Sequence, residues 1–217
     1  MTGQRRPRSC FLGRRKISPR ALPARKADRR RFPRSGQLGQ ATALQQIKSL
    51  IRTIPDHPKK GIEFRDLTTL FIHAQGFEIV IRTLVDHYRD TIIDKVAGVE
   101  SRGFIVAAPV AYALNKGFVP LRKPGKLPGA TVGMDYQLEY GTDRLEIHSD
   151  ALTEGDRILM VDDLLATGGT MEAACKLVEK VGGQVVGCAF VVELVDLKGR
   201  QRLTKYPLFK LVEFEGD

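Results

Sequence analysis

Residues 157–170, "RILMVDDLLATGGT", decide the fold of this chain. An apolar run of strand length leads into a loop in which Gly168 and Gly169 permit a tight turn, and a helical pattern begins near Thr170. Such a loop turns backbone N–H groups and the hydroxyls of Thr167 and Thr170 towards one point at the positive end of a helix. The stretch therefore predicts a cradle for one phosphate group. No Lys follows the glycines, as a P-loop requires, so a triphosphate ligand is not expected.

Two adjacent carboxylates, Asp162 and Asp163, stand directly before this loop, where they would repel a phosphate. A ligand with its phosphate at one end and hydroxyl groups or a cation in its middle removes the conflict, because carboxylates accept hydrogen bonds and bind hard cations. Ligands of open α/β sheets lie at the carboxyl ends of the strands, which is where this stretch puts both groups. The sequence predicts a ligand with chemically distinct ends.

The chain around this stretch alternates between short β-like runs and helical patterns. Strands are predicted at "KVAGVE", "GFVPLR" and "QVVGCAFVVELV", and helices at "FIVAAPVAYALNK" and "TMEAACKLVEKV". The alternation predicts βαβ units and a parallel sheet covered on both faces.

Three segments stand apart from this alternation. A helix is predicted from Thr42, its N-cap, through Ile54, after which "IPDHPKKG" ends it. A better amphipathic helix is predicted over residues 77–88. Residues 123–146 are polar and interrupted by Gly and Pro, so we expect a long loop there. In compact domains such loops are usually lids or disordered segments.

The net charge of +10 belongs to the first 40 residues. They contain 13 Lys and Arg and one acidic residue, which leaves 22 basic and 24 acidic residues for positions 41–217. Residues 1–40 are rich in Arg, Pro, Ser and Gly without periodicity, so we expect a disordered tail before one domain at 41–217. The tail is consistent with an organelle transit peptide, a nucleic-acid-binding arm or over-extension upstream of the true start, and the last is favoured.

Composition excludes several classes of function. No apolar stretch reaches the roughly 18 residues of a membrane span. The four His are scattered and the three Cys lack ligand spacing, so no protein-built metal cluster is expected. An odd number of Cys without a framework favours a reducing compartment, and the cytoplasm is the default expectation.

Four stretches together resemble a known family. "ILMVDDLLATGGT" is similar to the motif with which type I phosphoribosyltransferases bind 5-phosphoribosyl 1-pyrophosphate (PRPP). "GIEFRDLT", "ESRGFIVAAPVAYAL" and "FVPLRKPGKLPG…YQLEYG" narrow the resemblance to the adenine phosphoribosyltransferases, and it extends over residues 42–217. It implies a type I phosphoribosyltransferase-like α/β fold, in which helices flank a mostly parallel central sheet beside a small base-binding hood and a flexible loop.

The resemblance implies which residues meet each part of PRPP. Those expected to hold the 5′-phosphate are Ala166, Thr167, Gly168, Gly169 and Thr170. Asp162 and Asp163 would face the ribose 2′- and 3′-hydroxyls and the Mg²⁺ that shares them. Those expected to bind pyrophosphate are Ser101, Arg102, Gly103, Arg122, Lys123 and Lys126. A guanidinium grips phosphate oxygens through two hydrogen bonds, although solvated surface cations remain the alternative.

The resemblance also implies a base site. Phe64 would stack on adenine, Leu164 would close its other face, and backbone groups near Glu63 and Arg65 would read its edge. Glu63 stands where the family is expected to have an apolar residue, and Arg65 is equally consistent with a local ion pair to Asp66.

One acid within the predicted lid is a candidate for proton transfer. Glu139 of "YQLEYG" is the expected acid/base that manages the purine proton, and an ordinary exposed loop Glu is the alternative. The lid itself would exclude water from an oxocarbenium-like centre as pyrophosphate leaves.

The predicted function is purine salvage, in which the 5-phosphoribosyl group of PRPP passes to adenine and gives AMP and pyrophosphate, with Mg²⁺, in a homodimer. One alternative is an enzyme for hypoxanthine or guanine, whose family more typically has a Lys in its base-binding region. Another is a PRPP-binding regulator of the same fold whose basic tail contacts nucleic acid. The lid and Glu139 favour an enzyme, and the tail lacks a helix-turn-helix pattern, so no nucleic-acid partner is expected.

Overall fold

The structure, a computed structural model, describes residues 40–138 and 141–216. Its strands are β1 (Arg52–Ile54), β2 (Phe64–Asp66), β3 (Lys95–Val99), β4 (Gly117–Leu121), β5 (Thr131–Leu138), β6 (Gly141–His148), β7 (Arg157–Leu165), β8 (Gln184–Leu194) and β9 (Leu208–Phe214). Its helices are α1 (Gln40–Leu50), α2 (Thr68–Phe71), α3 (Ala74–Tyr88), α4 (Gly103–Ala113) and α5 (Gly169–Lys180). Two short 3₁₀ helices, Val195–Leu197 and Gly199–Leu203, lie between β8 and β9.

Five strands form the central sheet in the order β4, β3, β7, β8, β9, and every neighbouring pair is parallel. Parallel neighbours need a crossover connection, which α4 supplies between β3 and β4 and α5 between β7 and β8. The predicted α/β fold with a mostly parallel sheet flanked by helices is confirmed. The amphipathic helix predicted over residues 77–88 is confirmed as the larger part of α3.

Alternate residues of β7 belong to two cores on opposite faces of the sheet. Leu159 and Val161 pack with residues of α3 and α4, whereas Ile158 and Met160 pack with residues of α5, β5 and β6. All four side chains have no exposed surface, and burial of each contributes about 1.5–3 kcal/mol. Both cores therefore hold β7 in place and fix the position of its carboxyl end.

The predicted first helix is wrong beyond residue 50. It begins at Gln40, so Thr42 lies inside α1 rather than at its N-cap, and it ends at Leu50. Residues 52–54 instead form β1, which pairs antiparallel with β2. The isoleucines of this region match helical spacing, but strand pairing and an ion pair of 2.5 Å between Arg52 and Asp66 decide the local structure.

The long loop expected over residues 123–146 is largely a β-hairpin. β5 and β6 pair antiparallel from Thr131 opposite His148 to Leu138 opposite Gly141. Tyr136, Leu145 and Ile147 are buried in the core on the α5 side of the sheet, which explains why the segment is ordered. The hairpin tip, residues 139 and 140, lies outside the described residues, and residues 123–130 form the loop before β5.

The expected disordered tail lies almost wholly outside the described residues, which begin at residue 40. Within the described part of the chain, no helix has both the length and the apolar character needed to cross a bilayer.

Candidate functional site

The predicted phosphate loop lies between the carboxyl end of β7 and the first turn of α5. Residues 166–170 line a cleft of about 290 Å³ together with residues 99–102 and 162–165, Met171 and Phe190. Gly168 has a φ of +81°, which L-amino acids other than glycine rarely adopt. A Cβ at Gly168 would also lie 2.5 Å from the carbonyl oxygen of Gly199. Both the turn and this close approach require glycine.

The support beneath the loop was not anticipated from the sequence. Gly199 approaches so closely that a Cβ there would collide with the carbonyl oxygen of Ala166. The next residue, Arg200, holds the buried Glu193 of β8 through two hydrogen bonds of 3.0 and 2.6 Å. These residues are about 30 positions downstream of the loop, and no local spacing links the two segments. The loop conformation thus depends on a second segment of backbone.

The acid pair lies in the same cleft. Asp163 is 4% exposed. Its backbone N–H donates a hydrogen bond of 2.9 Å to Oδ1 of the neighbouring Asp162. Burial raises the pKa of Asp162, and the charge of Asp163 raises it further. Burial also raises the pKa of Asp163, while the guanidinium of Arg102 opposes that rise. A buried carboxylate directly beside a half-buried one is costly, which indicates a functional role.

Arg102 neutralises part of this charge. Its Nε lies 2.8 Å from Asp163 Oδ2, but the two groups are not aligned for a hydrogen bond. Asp163 Oδ2 is therefore a buried acceptor without a hydrogen-bond partner among the described residues. An acceptor in this condition is suited to a ligand hydroxyl or a hard cation.

The acid pair fits a divalent cation only when a ligand completes the coordination. Mg²⁺ takes about six oxygen ligands, and the two carboxylates supply few of them. Within residues 40–138 and 141–216, no cluster of three or more His, Cys, Asp or Glu could hold an ion. The donor set therefore suits an ion that shares its ligands with a bound phosphate compound.

Residues of the β3–α4 connection form the opposite wall of the cleft. Ser101 and Arg102 line it, and the preceding peptide bond, between Glu100 and Ser101, is cis. A Cβ at Gly103 would lie 2.5 Å from Asp162 Oδ1, so the carboxylate occupies the space above the first residue of α4. The structure thus brings the predicted residues 101–103 together with the acid pair.

Two of the other predicted pyrophosphate ligands, Arg122 and Lys123, are held by carboxylates. Arg122 donates two hydrogen bonds, of 3.1 and 3.0 Å, to Glu100, and this pairing lowers the pKa of Glu100. The Lys123 ammonium is bound by Asp143 of β6. Lys126 is exposed in the loop before β5. Glu100 belongs to the β3–α4 connection, so the Arg122 side chain is linked to that connection. None of these three cations is among the described residues that line the cleft with Arg102.

The predicted base site lies in a small hood formed by β1 and β2. Phe64 lies beside the cleft, because the guanidinium carbon of Arg102, which lines the cleft, is 5.8 Å from the centre of its ring. Leu164 lines the cleft and packs against the core. The structure therefore links both predicted base contacts to the residues around the acid pair.

The side chain of Arg65 points to a different set of partners from those expected. It does not pair with Asp66 but with Glu63, at 2.5 Å, and it donates to the backbone carbonyls of Glu215 and Gly216. Asp66 pairs with Arg52 instead. The Arg65 side chain thus ties the hood to the C-terminal segment and holds one oxygen of Glu63.

Glu139, the predicted acid/base, lies outside the described residues. The described parts of its hairpin come against the phosphate loop, because a Cβ at Gly169 would lie 3.3 Å from the carbonyl oxygen of Gln137. The described part of β5 therefore lies against the phosphate loop.

Comparison with known proteins gives a consistent result. A family model described as "Phosphoribosyl transferase domain" matches residues 66–215. The adenine phosphoribosyltransferase of Nitrosomonas europaea is 58% identical over 171 residues, which are 78% of this chain and 98% of that protein.

Solved structures extend the likeness to three dimensions. The adenine phosphoribosyltransferase of Thermoanaerobacter pseudethanolicus is 51% identical with a TM-score of 0.77, over 79% of this chain and 99% of that one. The Saccharomyces cerevisiae adenine phosphoribosyltransferase, complexed with D-2,5-dideoxy-2,5-imino-altritol 1,6-bisphosphate and adenine, is 39% identical with a TM-score of 0.75, over 79% of this chain and 99% of that one.

Proposed function

The chain belongs to the adenine phosphoribosyltransferase family, and we propose that the cleft at the carboxyl end of β7 is where its reaction occurs. The protein is an enzyme of purine salvage that transfers the 5-phosphoribosyl group of PRPP to adenine and releases AMP and pyrophosphate. The observation that carries the site proposal is the single cleft in which a phosphate loop, two carboxylates and an arginine converge. The phosphate loop would meet the 5′-phosphate of PRPP, the carboxylates its ribose and the arginine its pyrophosphate.

Binding of PRPP would use the cleft from end to end. Backbone N–H groups of residues 166–170 and the Thr167 and Thr170 hydroxyls would hold the 5′-phosphate. Asp162 and Asp163 would accept hydrogen bonds from the ribose 2′- and 3′-hydroxyls, and the unpartnered Asp163 Oδ2 supports this role. The anomeric carbon would then be fixed between the acid pair and the base site.

The leaving pyrophosphate would be stabilised by the cations at the other wall. Arg102 would leave Asp163 and bind the pyrophosphate, together with Ser101 and the backbone N–H of Gly103. Further positive charge would come from Arg122, Lys123 and Lys126. Asp162 and Asp163 would hold Mg²⁺ jointly with PRPP, and that ion would neutralise charge that develops on pyrophosphate.

Adenine would bind between the hood and the acid pair. Phe64 would stack on one face of the base and Leu164 would close the other, while backbone groups at Glu63 and Arg65 read its edge. The salt bridge from Glu63 to Arg65 supports backbone readout, because it engages both side chains elsewhere. Glu139 would manage the purine proton as N9 attacks the anomeric carbon, a role typically worth about 10²–10⁴-fold in rate.

The decisive experiment offers adenine, hypoxanthine and guanine separately with PRPP and Mg²⁺ and measures nucleotide and pyrophosphate. Turnover with adenine alone is expected. Turnover with another base would contradict the roles proposed for Phe64 and Leu164. Binding of PRPP without consumption of any base would contradict the catalytic activity itself. Glu139→Gln should lower kcat by about 10²–10⁴-fold, whereas Glu78→Gln, on the exposed face of α3, should leave it unchanged.

We also propose a homodimer. α4 begins at the cleft and presents Ile105 and Tyr112, which are 42% and 56% exposed and lie two turns apart on one face. Exposed apolar side chains on one helix face favour association. Light scattering should give a mass in solution of twice the chain mass. Ile105→Glu should reduce the measured mass to that of one chain.

A cytoplasmic location is part of the same proposal. Cys175 and Cys188 are free thiols whose sulfurs are 3.6 Å apart, as suits a reducing compartment. Cell fractionation would test it, and recovery in an oxidising compartment would contradict it.

A further inference from the structure

One arginine of the hood reaches the residues that end β9 and follow it. Arg65, in the middle of β2, is 7% exposed, and its Nη2 donates to the backbone carbonyl oxygens of Glu215 and Gly216 at 3.1 and 3.0 Å. Its Nη1 donates to Thr53 Oγ1 of β1 at 2.6 Å. The guanidinium carbon also lies 4.6 Å from the centre of the Phe214 ring. Arg65 therefore joins both hood strands to Phe214, Glu215 and Gly216, which we call the strap.

The strap itself is fastened to the central sheet. Phe214 pairs with Leu194 in the parallel register of β8 and β9, and the Gly216 backbone N–H donates to Asp196 Oδ2 at 2.6 Å. Asp196 lies two residues beyond the end of β8. The Lys48 ammonium of α1 lies 4.8 Å from the centre of the Phe214 ring, so a second cation contacts that ring. The strap is therefore held by the sheet and offers the hood a fixed support.

The hood needs an anchor because it is small. β1 and β2 have three residues each and form a two-stranded sheet of their own. A pair of strands of this kind is at best marginally stable without further packing. Phe64, the residue proposed to stack on adenine, is the first residue of β2 and is half-buried. Its position therefore depends on the contacts that hold β2.

Neighbouring side chains of β2 reach different parts of the molecule. Successive side chains of a strand point to opposite faces, so Phe64 and Arg65 leave β2 in opposite directions. Phe64 lies beside the cleft, where its ring centre is 5.8 Å from the Arg102 guanidinium carbon, whereas Arg65 binds the strap. The strap thus holds β2 from the side away from the base, through the residue next to the one that would stack on it.

The stability gained from Arg65 is small for so many contacts. Its Nε is buried without an acceptor among the described residues, which is unfavourable. Its Nη2 has two protons for three acceptors, which are Glu63 Oε2 and the two strap carbonyls. The residues that supply these acceptors are exposed, so water can replace the guanidinium at each of them. The contacts of Arg65 are therefore better explained by the position that they give to β2.

We propose that Arg65 is a positioning residue for the base, which fixes β2 to the strap and thereby holds Phe64 where adenine binds. The inference rests on the proposed role of Phe64 in base stacking. Arg65 is absent from the described residues that line the cleft with the phosphate loop. Its loss should therefore weaken the binding of adenine and leave that of PRPP unchanged.

The test compares steady-state kinetics of the full chain with those of Arg65→Met, which keeps an unbranched apolar stem and removes every donor. KM for adenine should rise roughly tenfold, the effect of one or two net hydrogen bonds. KM for PRPP and kcat should stay close to wild type. Arg65→Lys should recover part of the loss, because an ammonium also donates to carbonyls. A merely structural role would reduce the amount of folded enzyme, and with it the apparent kcat, without a selective change in KM for adenine.

Arg157→Gln is the matched control. Arg157 binds Asp94 through its Nε and Nη2, at 2.8 and 2.9 Å, and lies at the start of β7, the end remote from the phosphate loop. Whatever its effect on the thermal midpoint, Arg157→Gln should leave KM for adenine unchanged. The inference fails if Arg65→Met has the wild-type KM for adenine, or if KM rises equally for adenine and PRPP, while turnover by wild type keeps the proposed function. Absence of adenine turnover in wild type overturns both.

A second variant covers the case in which Arg65→Met does not fold. Asp196 is exposed, and Asp196→Ala removes the hydrogen bond that fastens Gly216 while Arg65 stays in place. KM for adenine should rise by about two- to fivefold, because one hydrogen bond of the strap is lost, and KM for PRPP should not change. A wild-type KM for adenine in Asp196→Ala would show that the strap does not position the hood.

Discussion

Gly103 is a glycine because of a neighbouring carboxylate and not because of its backbone angles. A Cβ at this first residue of α4 would lie 2.5 Å from Asp162 Oδ1 and 3.4 Å from the Val161 carbonyl oxygen. The closest atom is the end of a side chain, which can shift, whereas the backbone contact is only tight. A methyl group here would move the carboxylate more than it would disturb the fold.

Gly103→Ala should therefore reduce kcat/KM by about tenfold to a hundredfold, since small displacements of a reacting group are costly. The thermal midpoint should change little. Gly117→Ala is the control, because its Cβ would meet only the Lys95 side chain at an ordinary 3.6 Å. Equal activity in the two variants would show that the position of the Asp162 carboxylate is unimportant.

Asp162 is expected to favour function at the expense of stability. Burial and the charge of Asp163 raise the pKa of Asp162, so the ionised form is disfavoured in the folded chain. Asp162→Asn removes the charge and keeps the shape and the acceptor that the Asp163 N–H uses. We expect its thermal midpoint to rise by about 2–4 °C near neutral pH and its kcat/KM to fall at least about a hundredfold.

The control for this change is Asp135→Asn, which alters an exposed pair with Arg144 at 3.0 Å. Exposed pairs contribute about 0–1 kcal/mol, so both the midpoint and the activity should stay close to wild type. Differential scanning calorimetry and the adenine assay check both variants. A fall in the midpoint of Asp162→Asn would contradict the argument from burial.

At the scale of elements, the hood depends on Asp66. Hydrogen bonds from Thr68 and the ion pair with Arg52 lower the pKa of Asp66 to about 2 from an ordinary 3.8. A lowered folded-state pKa contributes stability that is present above the ordinary pKa and is lost as pH falls through the folded value. The contribution should therefore disappear between about pH 4 and about pH 2.

Asp66→Asn should lower the free energy of unfolding by roughly 1–2 kcal/mol near neutral pH, since it weakens hydrogen bonds to a charged group. The difference from wild type should shrink through the stated pH range in urea titrations. Glu78→Gln, an exposed i,i+4 pair with Arg82, should show almost no difference at any pH. A gap that is constant with pH would exclude ionisation of Asp66 as the cause.

Elements with one strong local signal were predictable. The periodicity of α3 and the apolar run of β7 before paired glycines each report a buried face or a turn within a few residues. β5 carries the alternation typical of a half-buried strand, because Val132, Met134 and Tyr136 are separated by a glycine and a polar residue. Its Gly and Pro neighbours made the whole segment resemble a loop.

The parts of the site that could not be predicted depend on contacts between distant segments. Arg65 binds carbonyls 150 and 151 residues away, and no spacing near "FRD" indicates them. The pairing of Lys123 with Asp143 depends on the register of the hairpin, which only the folded chain establishes. The local sequence indicates which residues belong to the site and which loop carries them. The side chains that they pair with depend on how distant segments come together in the fold.

At the scale of the whole molecule, the uneven charge allows a clear test. Residues 1–40 carry a net charge of +12, and residues 41–217 carry −2. If catalysis belongs to 41–217 alone, a chain beginning at Ala41 should retain kcat and KM for PRPP and adenine. It should also lose retention on heparin. Steady-state kinetics and heparin chromatography measure the two properties, and a many-fold change in KM for PRPP would give residues 1–40 a part in substrate binding.

The close approach of Gly168 to Gly199 has a consequence for protein engineering. Residues 157–170 look like a portable cassette, yet the loop rests on backbone contributed from about 30 residues downstream. A transplant of the 14-residue segment alone into another parallel-sheet scaffold would leave the loop without the supporting backbone at Gly199. The unit to transfer is a pair of segments, which are the loop and the Gly199–Arg200 turn with Glu193, the residue that holds Arg200. A design that copies only the loop would carry its sequence without the contacts that fix its conformation.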